Sequence, residues 1–129
     1  MTMKTQKLNA SDLMIGDWVH NKEGKNEQVT SLYDGYICTE THEDSHDYHF
    51  EPIPLTAEIL KKNGFSRFGT YYGIFERERL IFPLTNPSSP TDYKDNYYLQ
   101  IGNKDFPIKF VHQLQHALKL CGIDKQITL

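Results

Sequence analysis

Histidine is spread unevenly along this 129-residue chain, and two groups of imidazoles have spacings that could do chemistry. The segment ETHEDSHDYHFE, residues 40–51, sets His42, His46 and His49 among Glu40, Glu43, Asp44, Asp47 and Glu51, with no lysine or arginine. Imidazoles at such spacings, with carboxylates as outer acceptors, are the donors that zinc and related divalent ions take. A metal also requires its ligands to converge, and along an extended chain His46 and His49 point to opposite sides. Asp, Ser and His are also ordinary residues of a solvated turn. No metal is therefore assigned to this segment. The second group is His112 and His116, whose spacing places both rings on one face of a helix, as in helical zinc sites. The residue after His112 is Gln113, where metalloprotease helices carry a glutamate base. Gln115 and Lys119 share that face, so an exposed polar or partner-binding surface without metal is expected.

Nucleophilic catalysis has less support. Cys38 falls in the interior of an expected strand, where a buried thiol is inert. The chain holds no Gly-rich phosphate loop, no GxSxG elbow and no dinucleotide-binding fingerprint. A contact surface fits better. Arg67, Phe68, Tyr71, Tyr72, Arg77 and Arg79 interleave cations and flat rings on one expected hairpin, and Tyr97 and Tyr98 follow on a strand that should pair with it. Bases could stack on such rings while arginines meet phosphates. Sheets use the same residue types for their core and their solvated rim, which makes nucleic acid the secondary reading.

The elements that must position these residues follow from composition and punctuation. The length suits one domain, with room for two lobes. Lys plus Arg number 14 against 17 Asp plus Glu, which argues against a dedicated nucleic-acid binder. Acidic residues dominate residues 1–64 and basic residues slightly exceed them in 65–129, so an anionic partner should meet the second half. Two cysteines are too few for a disulfide framework, and no apolar run suits a signal peptide or a membrane span, so a cytoplasmic location is expected. No cofactor is implied.

Four β-rich runs, MIGDWVHN, NEQVTSLY, YICTE and DYHFEPI, are separated by turn residues and predict a curved antiparallel meander with Trp18 filling its core. Asp34-Gly35 is a tight hairpin signal. LTAEILKKNGF then carries helix punctuation: Thr56 as N-cap, Leu55 and Leu60 as a hydrophobic staple, Lys61 and Lys62 at the negative end, and Gly64 as terminator. Strands are expected at 68–75 and 80–84, joined by Glu76-Arg77-Glu78-Arg79, with Phe68 and Tyr72 on one face. The Pro- and Ser-bearing stretch 83–96 reads as a long loop. A strand over 97–101, an extended piece at 106–110 and a helix over 111–121 follow, with Val111, Leu114, Leu118 and Cys121 as its apolar stripe. Residues 127–129 could add a short strand.

Three stretches, EPIPLTAEILKKNGF (51–65), IKFVHQLQHALKLCG (108–122) and, more weakly, MIGDWV (14–19), resemble a family of small uncharacterised bacterial proteins of gut anaerobes, often encoded near prophage or mobile-element genes. The VHQLQ start of the last helix is the most specific element of the match. The resemblance implies a β-rich N-terminal part followed by an α+β part and supplies no catalytic residue.

The expected fold is α+β. Residues 1–54 should form a small curved antiparallel lobe resembling an SH3-like barrel, and 55–129 a three- or four-stranded sheet packed by two short helices. The expected role is non-enzymatic: a cytoplasmic protein that binds another macromolecule, most readily a protein, through Arg67, Phe68, Tyr71, Tyr72, Arg77 and Arg79 and through His112, Gln115, His116 and Lys119. A nucleic-acid-binding accessory protein is the alternative, and a metal-dependent enzyme using the histidine clusters is third.

Overall fold

The computed structural model describes residues 8–43, 49–68, 71–77, 79–85, 97–101 and 103–129; for Glu76, Arg79, Leu80, Ile81 and Ile101 it describes the backbone alone. The fold is α+β, and the described residues form two antiparallel sheets of three and five strands and two α-helices. The chain divides into two compact units, Met1–Ile53 and Pro54–Leu129.

In the first unit β1 (Trp18–His20), β2 (Asn26–Tyr33) and β3 (Tyr36–Thr39) pair in sequence order. The β2–β3 turn is the expected one: Asp34 and Gly35 take φ of 49° and 82°, the pair of positive angles that a type I′ hairpin needs. A β-bulge between Val29 and Ser31 bends β2. Among the described residues the fourth expected strand, whose first two residues lie outside them, is represented by one bridge, in which His20 and Glu51 exchange backbone hydrogen bonds of 2.8 and 2.9 Å. Among the described residues the sheet does not close on itself. Leu8, Leu13, Val19, Val29, Ile37 and Phe50 make the core. Trp18, expected at its centre, is only half-buried, because side chains alternate along β1 and the inward position is Val19, which is fully enclosed.

The second unit begins with α1 (Ala57–Lys62). Thr56 caps it by accepting from the Ile59 N–H at 3.3 Å. At its other end the Phe65 N–H donates to the Leu60 carbonyl at 2.9 Å across Gly64, whose φ of 83° is left-handed. Leu55 and Leu60 are both buried, as a staple requires. β4 (Ser66–Phe68), β5 (Tyr71–Glu76), β6 (Arg79–Thr85), β7 (Tyr97–Ile101) and β8 (Lys104–Ile108) form an antiparallel sheet in that order. The single strand expected over 68–75 is thus a hairpin between β4 and β5. β6 runs on through Thr85, so the first residues assigned to the loop 83–96 are strand; the rest lie outside the described residues.

α2 (Val111–Leu120) closes the unit. Gln113 gives its first turn an acceptor: its Oε1 takes hydrogen bonds from the Lys109 and Phe110 N–H groups at 2.7 and 3.1 Å. Val111, Leu114, Ala117 and Leu118 are buried, whereas Cys121 lies past the last helical turn and is exposed, contrary to the expected stripe. No strand forms at 127–129; the buried amide of Asn63 holds that segment, accepting from the Thr128 N–H at 2.7 Å and donating to the Thr128 carbonyl at 2.8 Å.

Candidate functional site

Cross-strand register sorts the residues of the five-stranded sheet onto two faces. Tyr72, Leu84 and Leu99 face one another across β5, β6 and β7, and Tyr97 faces Ile108 across β7 and β8. All five are buried, with Tyr72 edge-on to Tyr97 at 5.7 Å and Phe82 edge-on to Phe65 at 6.1 Å. This inner face is core across β5, β6 and β7, whereas Phe106, paired with Leu99 from the edge strand β8, is 44% exposed. The other parity carries Phe68, Tyr71, Thr85, Tyr98 and Pro107 in one row across all five strands. Phe68 is 71% exposed, Tyr71 39% and Phe75, on the same face of β5, 42%. The molecule therefore keeps an aromatic row in solvent on the sheet face opposite its buried one, an arrangement that marks contact surfaces.

The hairpin set named from the sequence is thus divided. Phe68 and Tyr71 sit together on the open face. Tyr72 does not: it is a core residue, because Phe68 pairs with Tyr71, and the next residue of β5 faces the opposite side. Arg67 pairs with Tyr72 and lays its guanidinium 5.7 Å from that ring's centroid, so this cation belongs to the inner parity. Arg77 is exposed in the β5–β6 turn with φ of 51°, and the side chain of Arg79 lies outside the described residues. Lys104 pairs with Ile101 on the inner parity as well. The open row carries Ser66, Thr85, Gln100 and Asp105 as its polar members and no lysine or arginine among the described residues.

On α2, Gln115 and His116 are half-buried and Lys119 is exposed. His112 departs from expectation: it is buried, its ring stacked 5.9 Å from Phe110 and 5.7 Å from an edge-on His116. His112 stands two residues past the N-cap Phe110 and stacks on that ring, so the pair is not an open two-imidazole face.

The acidic segment yields a different arrangement from the metal site weighed above. His46 lies outside the described residues, and His49 is exposed. Among the described residues no three His, Cys, Asp or Glu side chains gather as a metal would need. His42 instead meets Glu27, with Nδ1 2.8 Å from Oε2. The Glu27 carboxylate accepts on both oxygens: Oε1 from the hydroxyls of Thr39 and Thr41, the latter at 2.6 Å, and Oε2 from His42 and from Asn21 Nδ2 at 2.5 Å. Partial burial raises its pKa, but the hydrogen bonds from Thr39, Thr41, Asn21 and His42 outweigh that and lower it from 4.5 to about 2. Asn21 is itself buried and accepts from the Glu23 and Lys25 N–H groups at 2.9 and 3.0 Å, so one amide joins the β1–β2 turn to the carboxylate. Thr39 and His42 close the turn after β3 through the Thr39 N–H to the His42 carbonyl at 2.8 Å.

Sequence reasoning passed over Glu27, Asn21, Thr39 and Thr41. One signal was available: Glu27 stands two residues from Val29 on β2 and so shares its inward face, where a carboxylate must find donors. The network's chemistry is that of a satisfied anion joining two turns, with its hydroxyls and imidazole also bonded to one another and to the turn backbone.

No family model matches the chain, and no curated protein or solved structure matches it. None of the helices among the described residues is long and apolar enough to cross a membrane.

Proposed function

We propose that this protein is a non-enzymatic interaction protein that binds another protein through the open aromatic face of its five-stranded sheet. The observation that carries this reading is the exposed row of Phe68, Tyr71 and Phe75 on the face opposite the core. Rings of this size in solvent gain most from an apolar partner. The strands carry no lysine or arginine on this face among the described residues; Arg67 and Lys104 belong to the other parity, and Arg77, two residues past Phe75, is exposed in the β5–β6 turn. A protein partner therefore suits it better than a nucleic acid. Gln115, His116 and Lys119 on α2 form a second, polar contact area. In keeping with this role, the first unit is read as an SH3-like module. We read it as a cytoplasmic protein, in a setting like that of the mobile-element-associated bacterial proteins its motifs resemble.

The test is affinity capture from nuclease-treated host lysate with the wild-type chain and with Phe68→Asp/Phe75→Asp. A partner retained by the wild type and lost by the variant, with unfolding curves unchanged, supports the reading. Binding of a fluorescent single strand that weakens steeply with salt would replace it with the nucleic-acid reading.

A further inference from the structure

The two edges of the five-stranded sheet are built differently. β8 is blunted: Pro107 has no N–H to offer, and the charged, exposed Lys104 and Asp105 flank its start. β4 has none of these devices except the single charge of Arg67, and all three of its residues, Ser66, Arg67 and Phe68, are exposed. Phe68 is the most exposed ring of the open face and stands on this edge strand.

The charge beside β4 has one sign. α1 runs directly into it through Asn63, Gly64 and Phe65, and the last helical turn carries Lys61 and Lys62, both exposed. The Lys125 ammonium comes within 3.4 Å of where a Cβ on Gly64 would stand, which brings a third cation to the same corner. Arg67 adds a fourth on the strand itself. Glu58, one turn back on α1, and Asp124 are the opposing charges. The corner is net basic, in a unit with ten Lys or Arg against seven Asp or Glu.

We infer that β4 is a docking edge for an extended acidic peptide of a partner protein, which adds as a sixth strand with an apolar side chain beside Phe68 and carboxylates toward Lys61, Lys62 and Lys125. β4 is guarded only by its shortness and one charge, with no proline, which leaves it the edge more open to strand addition. The basic corner selects among extended segments by charge. The inference rests on the reading of this sheet as a protein-binding surface and names the kind of segment it takes.

The experiment measures the fluorescence anisotropy of a labelled alternating Glu-Val peptide titrated with the full chain, against a Lys-Val peptide and a Glu-Val peptide N-methylated at alternate residues. The expected result is saturable binding of the first alone, weakened by salt and by about tenfold or more in Lys61→Glu/Lys62→Glu, whose exposed side chains leave the fold intact. Equal binding of all three peptides, failure of the Glu-Val peptide to bind, or indifference to the charge reversal would overturn it. A labelled single-stranded oligonucleotide that binds more tightly than the peptide and depends on the same lysines would also overturn it. If the peptide fails while Phe68→Asp/Phe75→Asp still abolishes partner capture, the edge proposal falls and the face reading stands.

Discussion

His42 Nδ1 lies 2.8 Å from Glu27 Oε2, joining residues fifteen positions apart and bringing the turn after β3 onto β2. With the two threonines and Asn21 on the same carboxylate, the pair links the β1–β2 turn to the turn after β3 through one charge. A carboxylate that accepts this many hydrogen bonds is stabilised in its ionised form and costs stability when protonated.

The pH dependence follows from the lowered pKa. Glu27 contributes fully above its unfolded value of 4.5, and the contribution is lost as pH falls through about 2. Glu27→Gln should lose on the order of 1–3 kcal/mol at neutral pH, the range for hydrogen bonds to a charged group. Chemical denaturation across the acid range should show the gap between the two proteins closing below the unfolded value. A gap independent of pH would show that the carboxylate's charge does not matter.

Asn63 and Thr128 make the corresponding test for the second unit. Asn63→Ala removes the acceptor for the Thr128 N–H and the donor to the Thr128 and Ile59 carbonyls, at 2.8 Å each. About 2–3 kcal/mol should be lost, and amide exchange at Thr128 should accelerate together with that of the buried Ile127. Unchanged exchange at Thr128 would mean that the clamp is not what holds this segment.

Two rings of neighbouring strands should respond oppositely. Tyr72→Ala opens the core and should cost roughly 3 kcal/mol, whereas Phe68→Ser, at an exposed position, should stay within about 0.5 kcal/mol. Urea unfolding of the two variants decides it. Similar losses at both would refute the division of the sheet into a core face and an open face.

Trp18 reports on the first unit because it is the one tryptophan in the chain. Its half-burial predicts emission between the solvated and enclosed limits and partial quenching by acrylamide. Leu114, fully enclosed on α2, should cost about 2–5 kcal/mol when cut to alanine. Fully protected Trp18 emission would restore it to the core position that Val19 occupies.

Local chemistry was readable along the chain wherever a few adjacent residues decide the outcome. Asp34-Gly35 announced its hairpin, Thr56 its cap and Gly64 its stop, since each acts on a backbone only a few bonds away. Leu114 and Leu118 announced a buried stripe through helical spacing. Faces were harder to read. Antiparallel pairing of β4 with β5 splits one expected strand into two, and with it Tyr72 passes from the open row to the core. The burial of His112 depends on Phe110 stacking on it at the start of α2. Gathering donors around Glu27 from Asn21, Thr39, Thr41 and His42 required three strands and two turns to converge, and spacing along a chain does not contain that convergence. The sequence by itself determined the α+β class, the turns and caps, and the supply of rings and charges. Tertiary structure alone decided which rings are left in water and which carboxylate is ionised by its neighbours, because both depend on what the folded chain brings against each side chain.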